Sequence, residues 1–243
     1  MKSTRLIIAF ILCAAACAQA PTAPSPAPGN AKCIECHGAI ASALNKRYIH
    51  QAMAQSCGVC HTPHAKVPAN PGPFLKEPEP GLCLGCHPLS DKLADAHWRQ
   101  PFATARCTNC HDPHASQSAK LIYERAHGPF AGRHCDECHG EAENGKIRLN
   151  AASTNELCFN CHISLKNRLA TAKTRHPAVE SATCIGCHTP HASPYERHLL
   201  KEVPELCLAC HGEPLRGASP GHAPGARCLR CHDPHTGAST GSE

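Results

Sequence analysis

Cys184-Ile185-Gly186-Cys187-His188-Thr189-Pro190-His191 is the stretch that decides how this chain folds, with His176 standing eight residues before it. Two cysteines three apart with a histidine directly after them form the attachment signature of a c-type haem. The thiols add to the porphyrin vinyl groups as thioethers, and the adjacent histidine binds the iron from one face. His191 follows His188 by three residues, across a proline, and cannot reach the opposite face of the same ring. If it binds iron, it binds that of another haem. One short stretch can therefore anchor one haem and ligate a second.

The device recurs throughout. The 243 residues hold 20 cysteines, and 18 of them make nine CxxCH motifs: Cys33 and Cys36, Cys57 and Cys60, Cys83 and Cys86, Cys107 and Cys110, Cys135 and Cys138, Cys158 and Cys161, Cys184 and Cys187, Cys207 and Cys210, Cys228 and Cys231. Only Cys13 and Cys17 stand outside a motif. With 22 prolines, 17 glycines and 4% aromatics, the polypeptide lacks the material for an ordinary apolar core. Nine covalently attached haems would fill the interior in its place. The expected fold is mostly irregular with short α-helices wrapped on a haem stack, and little or no β-sheet.

The formal charge of +5 suggests a nucleic-acid partner, but the haems reverse it. Loss of a leader carrying Lys2 and Arg5 leaves +3. Eighteen propionates and nine ferric centres then bring the balance to about −6, or about −15 when reduced. No nucleic-acid role is expected.

Residues 1–17 read as an export signal, with Lys2 and Arg5 ahead of the apolar run 6–16, which is too short to span a membrane. Ala14-Ala15-Ala16-Cys17 resembles a lipobox, making Cys17 the expected lipidation site; cleavage after Ala20 is the competing reading, with Pro21 unfavourable beside that bond. Residues 18–31 are proline-rich and uncharged, an extended tether. Residues 32–236 form the haem domain, and 237–243 a flexible tail.

First cysteines of successive motifs lie 24, 26, 24, 28, 23, 26, 23 and 21 residues apart, the mark of an array. Finer inspection gives pairs over 33–64, 83–114, 158–191 and 207–235, each closing in His-x-Pro-His. The motif at Cys135, with His127 before it, lacks that ending and reads as half a unit over 127–139. Helices are expected over 39–48, 163–173 and 91–96, the last capped by Ser90.

Nine irons need nine proximal ligands: His37, His61, His87, His111, His139, His162, His188, His211 and His232. Eleven histidines remain. His64, His114, His191 and His235 occupy the His-x-Pro-His position; His50, His97, His127, His176 and His222 precede a motif by six to ten residues. These nine are the expected distal ligands, which leaves His134 and His198 over. Which histidine serves which haem stays open, as does the distal ligand of the Cys135 haem. Methionine ligation is nearly excluded, since only Met53 remains beyond the leader. Iron held by two histidines lacks the potential-raising thioether, so low potentials follow.

Zinc would not require a histidine after every second cysteine, and CxxC is a poor spacing for structural disulfides. Catalysis is disfavoured because no CxxCK motif offers an open iron and only about 27 residues accompany each haem, little from which to build a pocket. The alternative kept is a multihaem oxidoreductase with one open haem reducing a nitrogen or sulfur oxyanion.

The closing motifs CGVCHTPH, CTNCHDPH, CIGCHTPH and CLRCHDPH resemble those of the doubled-CxxCH family of multihaem c-type cytochromes, over essentially all of 33–235. That resemblance implies electron transfer in bacterial respiration, often towards acceptors outside the cell, by hopping between closely packed haems. It implies redox partners such as other multihaem cytochromes, possible self-association, and a place in the periplasm or at the outer membrane. Three settings fit: a periplasmic carrier, the core of a porin–cytochrome conduit, and a surface filament.

Overall fold

The computed structural model describes residues 30–63, 74–181, 183–212 and 227–237. The leader, Cys17, the tether up to residue 29, His64, His222 and the tail from 238 lie outside the described residues.

The helices are short: α1 Ala31–Cys36, α2 Gly38–Ala43, α3 Gly81–Leu84, α4 Asp91–Ala96, α5 Gly128–Ala131, α6 Thr154–Phe159, α7 Ile163–Thr171, α8 Pro177–Ser181 and α9 Glu205–His211. Ser90 caps α4 as expected, its Oγ accepting the Leu93 N–H at 3.2 Å. Ser153 does the same for α6 through Glu156. Among the described residues no helix is long and apolar enough to cross a membrane.

Strands are minimal. β1 (Tyr48–Ile49) pairs antiparallel with β2 (Ala115–Ser116), and β3 (Arg125–Ala126) with β4 (Ala192–Ser193). The first pairing shortens the helix expected over 39–48. Tyr48 and Ile49 are drawn into β1, and α2 stops at Ala43.

The nine motifs fall into two local classes. Cys33, Cys83, Cys158 and Cys207 lie in α-helices, whereas Cys57, Cys107, Cys135, Cys184 and Cys228 each open a three-residue 3₁₀ turn. Four of the latter five meet a proline two residues beyond the motif histidine, and the residue before a proline is pushed out of helical geometry. In both classes the motif histidine N–H donates to the first cysteine's carbonyl, at 2.8 Å for His139 and 3.0 Å for His188. That single turn sets two sulfurs and a ring on one side of the backbone.

Cys135 belongs to the second class. His61, His111, His139 and His188 each bridge a returning segment, at Leu75, Ile122, Leu149 and Leu199. The unit at Cys135 is thus a second member without a first, and only its His-x-Pro-His ending is missing.

The only buried apolar residues among those described are Ala115, Leu169 and Ala192. Two of the three sit in the β pairs. Ser116 and Ser193, next to them and 1% exposed, donate from Oγ to the carbonyls of Ile122 and Leu199. What protein core exists serves to tie distant loops together. Asn30, expected as the end of the tether, is 1% exposed and built into the domain instead.

Candidate haem-binding sites

Three copies of one arrangement position the histidines. The His50 N–H donates to the His114 carbonyl at 2.9 Å, that of His127 to His191 at 2.7 Å, and that of His176 to His235 at 2.9 Å. In the first two copies the ring follows the backbone. Nδ1 of His50 lies 3.0 Å from the Pro113 carbonyl, and Nδ1 of His127 lies 3.0 Å from that of Pro190. A histidine ahead of one motif is thereby locked to the His-x-Pro-His segment of a motif over fifty residues later.

These ties bring the rings together in pairs. Centroids stand 6.0 Å apart for His50 and His87, 6.1 Å for His61 and His114, 6.2 Å for His97 and His111, and 6.1 Å for His127 and His162. They stand 5.8 Å apart for His139 and His191, 5.8 Å for His176 and His211, and 6.1 Å for His188 and His235. Two imidazoles on opposite faces of one metal, each with a metal–nitrogen bond of about 2 Å, hold their centroids about 6 Å apart. Direct stacking of rings can be closer, as for His97 on Phe102 at 4.2 Å. Seven CxxCH histidines therefore face an expected distal histidine at the separation that one iron requires. His37 and His232 are described, but their remaining candidates, His64 and His222, are not.

The chemistry of these rings suits a metal. Nδ1 of His50, His97, His111, His127 and His188 each faces a backbone carbonyl at 2.8–3.0 Å. Donation from Nδ1–H leaves the Nε2 lone pair free to ligate. Burial pushes His111, His127, His139, His191 and His235 below the ordinary histidine pKa, which favours the neutral, ligating form.

The space suits a large flat group. A continuous cavity of about 3200 Å³ is lined by cysteines and histidines of the first six motifs. An ordinary small-molecule pocket is about 300–1,000 Å³.

The cysteines are placed in order. Cys33 lies against Cys57, Cys83 against Cys107, Cys158 against Cys184, and Cys207 against Cys228. None of the eighteen described cysteines forms a disulfide. Glu79, Cys83 and Cys107 cluster within 4.8 Å, and burial and the Cys107 thiol push the Cys83 thiol up to about 12.

Three residues that hold this geometry escaped the sequence reading. Asn30 Oδ1 accepts the Cys57 N–H at 2.8 Å while its Nδ2 donates to Met53. Asn155 Oδ1 accepts the Cys184 N–H at 2.9 Å. Glu79 accepts from Thr108 N–H and Oγ1 at 2.9 and 2.8 Å. Each clamps a second-member motif to the first member before it. Their position was the available signal, three or four residues ahead of a first cysteine. His134 and His198 stay outside the ring pairs: His134 is exposed beside Glu137, and His198 stands edge-on to His127 at 5.6 Å.

Known proteins match this pattern. The family model "Doubled CXXCH motif" matches residues 100–126, 127–167 and 176–215, and "Cytochrome c7 and related cytochrome c" matches residues 21–88. A curated relative, the multiheme cytochrome MtrA of Shewanella baltica (strain OS185), is 27% identical over 171 residues, covering 68% of this chain and 47% of its own. The chain thus spans about half the length of that relative. Motif order, ring pairs and family matches agree: over the matched residues the chain is similar to the doubled-CxxCH multihaem c-type cytochromes, and its motifs indicate covalently bound c-type haem.

Proposed function

We propose that this protein is a nonahaem electron carrier in which every iron is held by two histidines. The seven ring pairs at 5.8–6.2 Å carry the reading. Attachment is by the nine cysteine pairs and their adjacent histidines. Distal ligands follow the ring pairs: His50 serves the Cys83 haem, His114 the Cys57 haem, His97 its own Cys107 haem, and His191 the Cys135 haem. His127 serves the Cys158 haem, His235 the Cys184 haem, and His176 the Cys207 haem. His64 and His222 remain for the Cys33 and Cys228 haems.

Bound c-type haems supply a one-electron ferric/ferrous couple at low potential when both axial ligands are histidine. The chain's own residues set the order of transfer. The closeness of Cys33 to Cys57 and of Cys83 to Cys107, with an electrostatic influence of Cys60 on Cys83, supports a sequential order for the first four sites. The closeness of Cys158 to Cys184 and of Cys207 to Cys228, with electrostatic influences of Cys138 on Cys158 and of Cys187 on Cys207, supports the same order for the last five. Gln100 Nε2, donating to the Gly140 carbonyl at 3.0 Å, ties the two runs together. The electron path therefore follows the chain from the first motif to the ninth. Half-buried rings fixed by backbone carbonyls move little between oxidation states, which keeps reorganisation small. The setting is the bacterial cell envelope, with Cys17 as a lipid anchor and other multihaem cytochromes or an outer-membrane porin as partners.

The test is intact mass and the ferric spectrum of protein made with a cytochrome c maturation system. Nine haems per chain and a wholly low-spin spectrum are expected. A high-spin fraction that shifts with nitrite or hydroxylamine would refute full ligation and favour a reductase.

A further inference from the structure

The three His-x-Pro-His segments described in full differ at x: Asp112, Thr189 and Asp233. Asp112 Oδ1 accepts the N–H groups of His114 and Ala115 at 2.9 and 3.4 Å, and Asp233 Oδ1 those of His235 and Thr236 at 2.8 and 3.0 Å. The same oxygen stands 3.7 Å from Nδ1 of His114, and 3.9 Å from Nδ1 of His235 in the other copy. Thr189 closes its turn through Oγ1, 3.5 Å from the His191 N–H, and brings no charge.

We propose that Asp112 and Asp233 are potential-setting residues: each fixes a carboxylate behind a distal histidine and lowers the reduction potential of the haem which that histidine serves. The haem served by His191 lacks the carboxylate and is reduced more readily. This rests on the ligand assignment above.

A carboxylate behind a ligating imidazole raises its basicity and favours the higher oxidation state of the metal. Its charge also opposes arrival of an electron. Each carboxylate has a cation on its outer oxygen, Lys46 at 3.6 Å from Asp112 Oδ2 and Arg168 at 3.7 Å from Asp233 Oδ2. Lys46 is shared with Glu124 at 2.9 Å. Both cations stand farther from the carboxylate oxygen they face than the two N–H groups that each carboxylate holds at hydrogen-bond distance, so the cations temper the effect. Nδ1 of the ligand rings His50, His97, His111, His127 and His188 meets a neutral carbonyl instead. Among the segments described in full, two charged copies and one uncharged copy of the same turn occur, which is an internal control.

The experiment is a spectroelectrochemical titration of the fully loaded protein and three variants: Asp112→Asn, Asp233→Asn and Thr189→Asp. Asparagine retains the oxygen that closes the turn and removes only the charge. Each asparagine variant is expected to move one-ninth of the total amplitude to higher potential, and Thr189→Asp to move one-ninth to lower potential, with spectra still low-spin. Superimposable titrations in low-spin protein overturn the proposal. So does a loss of low-spin haem in an asparagine variant, which would assign the side chain to folding. A wild-type protein already partly high-spin refutes the ligand assignment itself, and the proposal with it.

Discussion

The pairing of His191 with His139 across 52 residues makes a sharp prediction. In His191→Ala the backbone tie survives, because the His191 carbonyl still accepts from His127 and the β3–β4 pairing is untouched. Loss of a half-buried ring then costs about 1–2 kcal/mol, against a usual total of about 5–15 kcal/mol. The variant should fold with all nine haems attached. One iron in nine loses a ligand, so about one-ninth of the ferric spectrum should become high-spin and one equivalent of carbon monoxide should bind per chain. The open iron should be the one anchored at Cys135 and Cys138. Adding Cys135→Ala and Cys138→Ala to the variant deletes that haem, and the remaining eight should be wholly low-spin. A high-spin signal persisting in the triple variant would place His191 on another iron and refute the reading of ring separations as ligand pairs.

Other outcomes follow from the same contacts. Asn30→Ala strands the Cys57 N–H and the Met53 carbonyl, each costing about 1–3 kcal/mol, and should lower the guanidinium midpoint and expose the first motif to protease. Ser90→Ala removes the α4 cap, a loss of about 1 kcal/mol, seen as a smaller drop in the same midpoint with ligation intact. For Asp112, burial alone would raise the carboxyl, but the nearby His114 ring and hydrogen bonds from the N–H groups of His114 and Ala115 outweigh it and hold the pKa at about 2. Its contribution to stability is therefore present above the ordinary value of 3.8 and is lost as pH falls through about 2. Acid unfolding followed by circular dichroism should lose that limb in Asp112→Asn. Protein expressed without haem attachment should be largely unfolded. Its radius of gyration should approach about 54 Å, against about 18 Å for a compact chain of this length; a compact scattering profile would refute this.

Much of the fold was legible because haem attachment is local chemistry. Two sulfurs and a ring are set by one backbone turn, so each CxxCH declares its site without reference to the rest of the chain. Helices such as Asp91–Ala96 were equally local, resting on a serine cap at the preceding position. The helix expected over 39–48 shows where this stops, since Tyr48 and Ile49 obey a partner near residue 115 rather than their neighbours. Strands two residues long carry no periodicity to detect. The repeated Pro-His-Ala-Ser at 113–116 and 190–193 was the one written trace of that pairing.

By itself the sequence determined the cofactor, the number of attachment motifs, the supply of histidines and the weakness of any protein core. Tertiary structure alone decided which histidines face one another, because partners such as His61 and His114 meet through backbone ties between loops over fifty residues apart. It also decided that Cys135 opens a second-member turn and that Asn30 is a buried clamp. Local chemistry can be read from neighbours in the chain, whereas the second ligand of each iron depends on which distant backbone carbonyl finds which N–H.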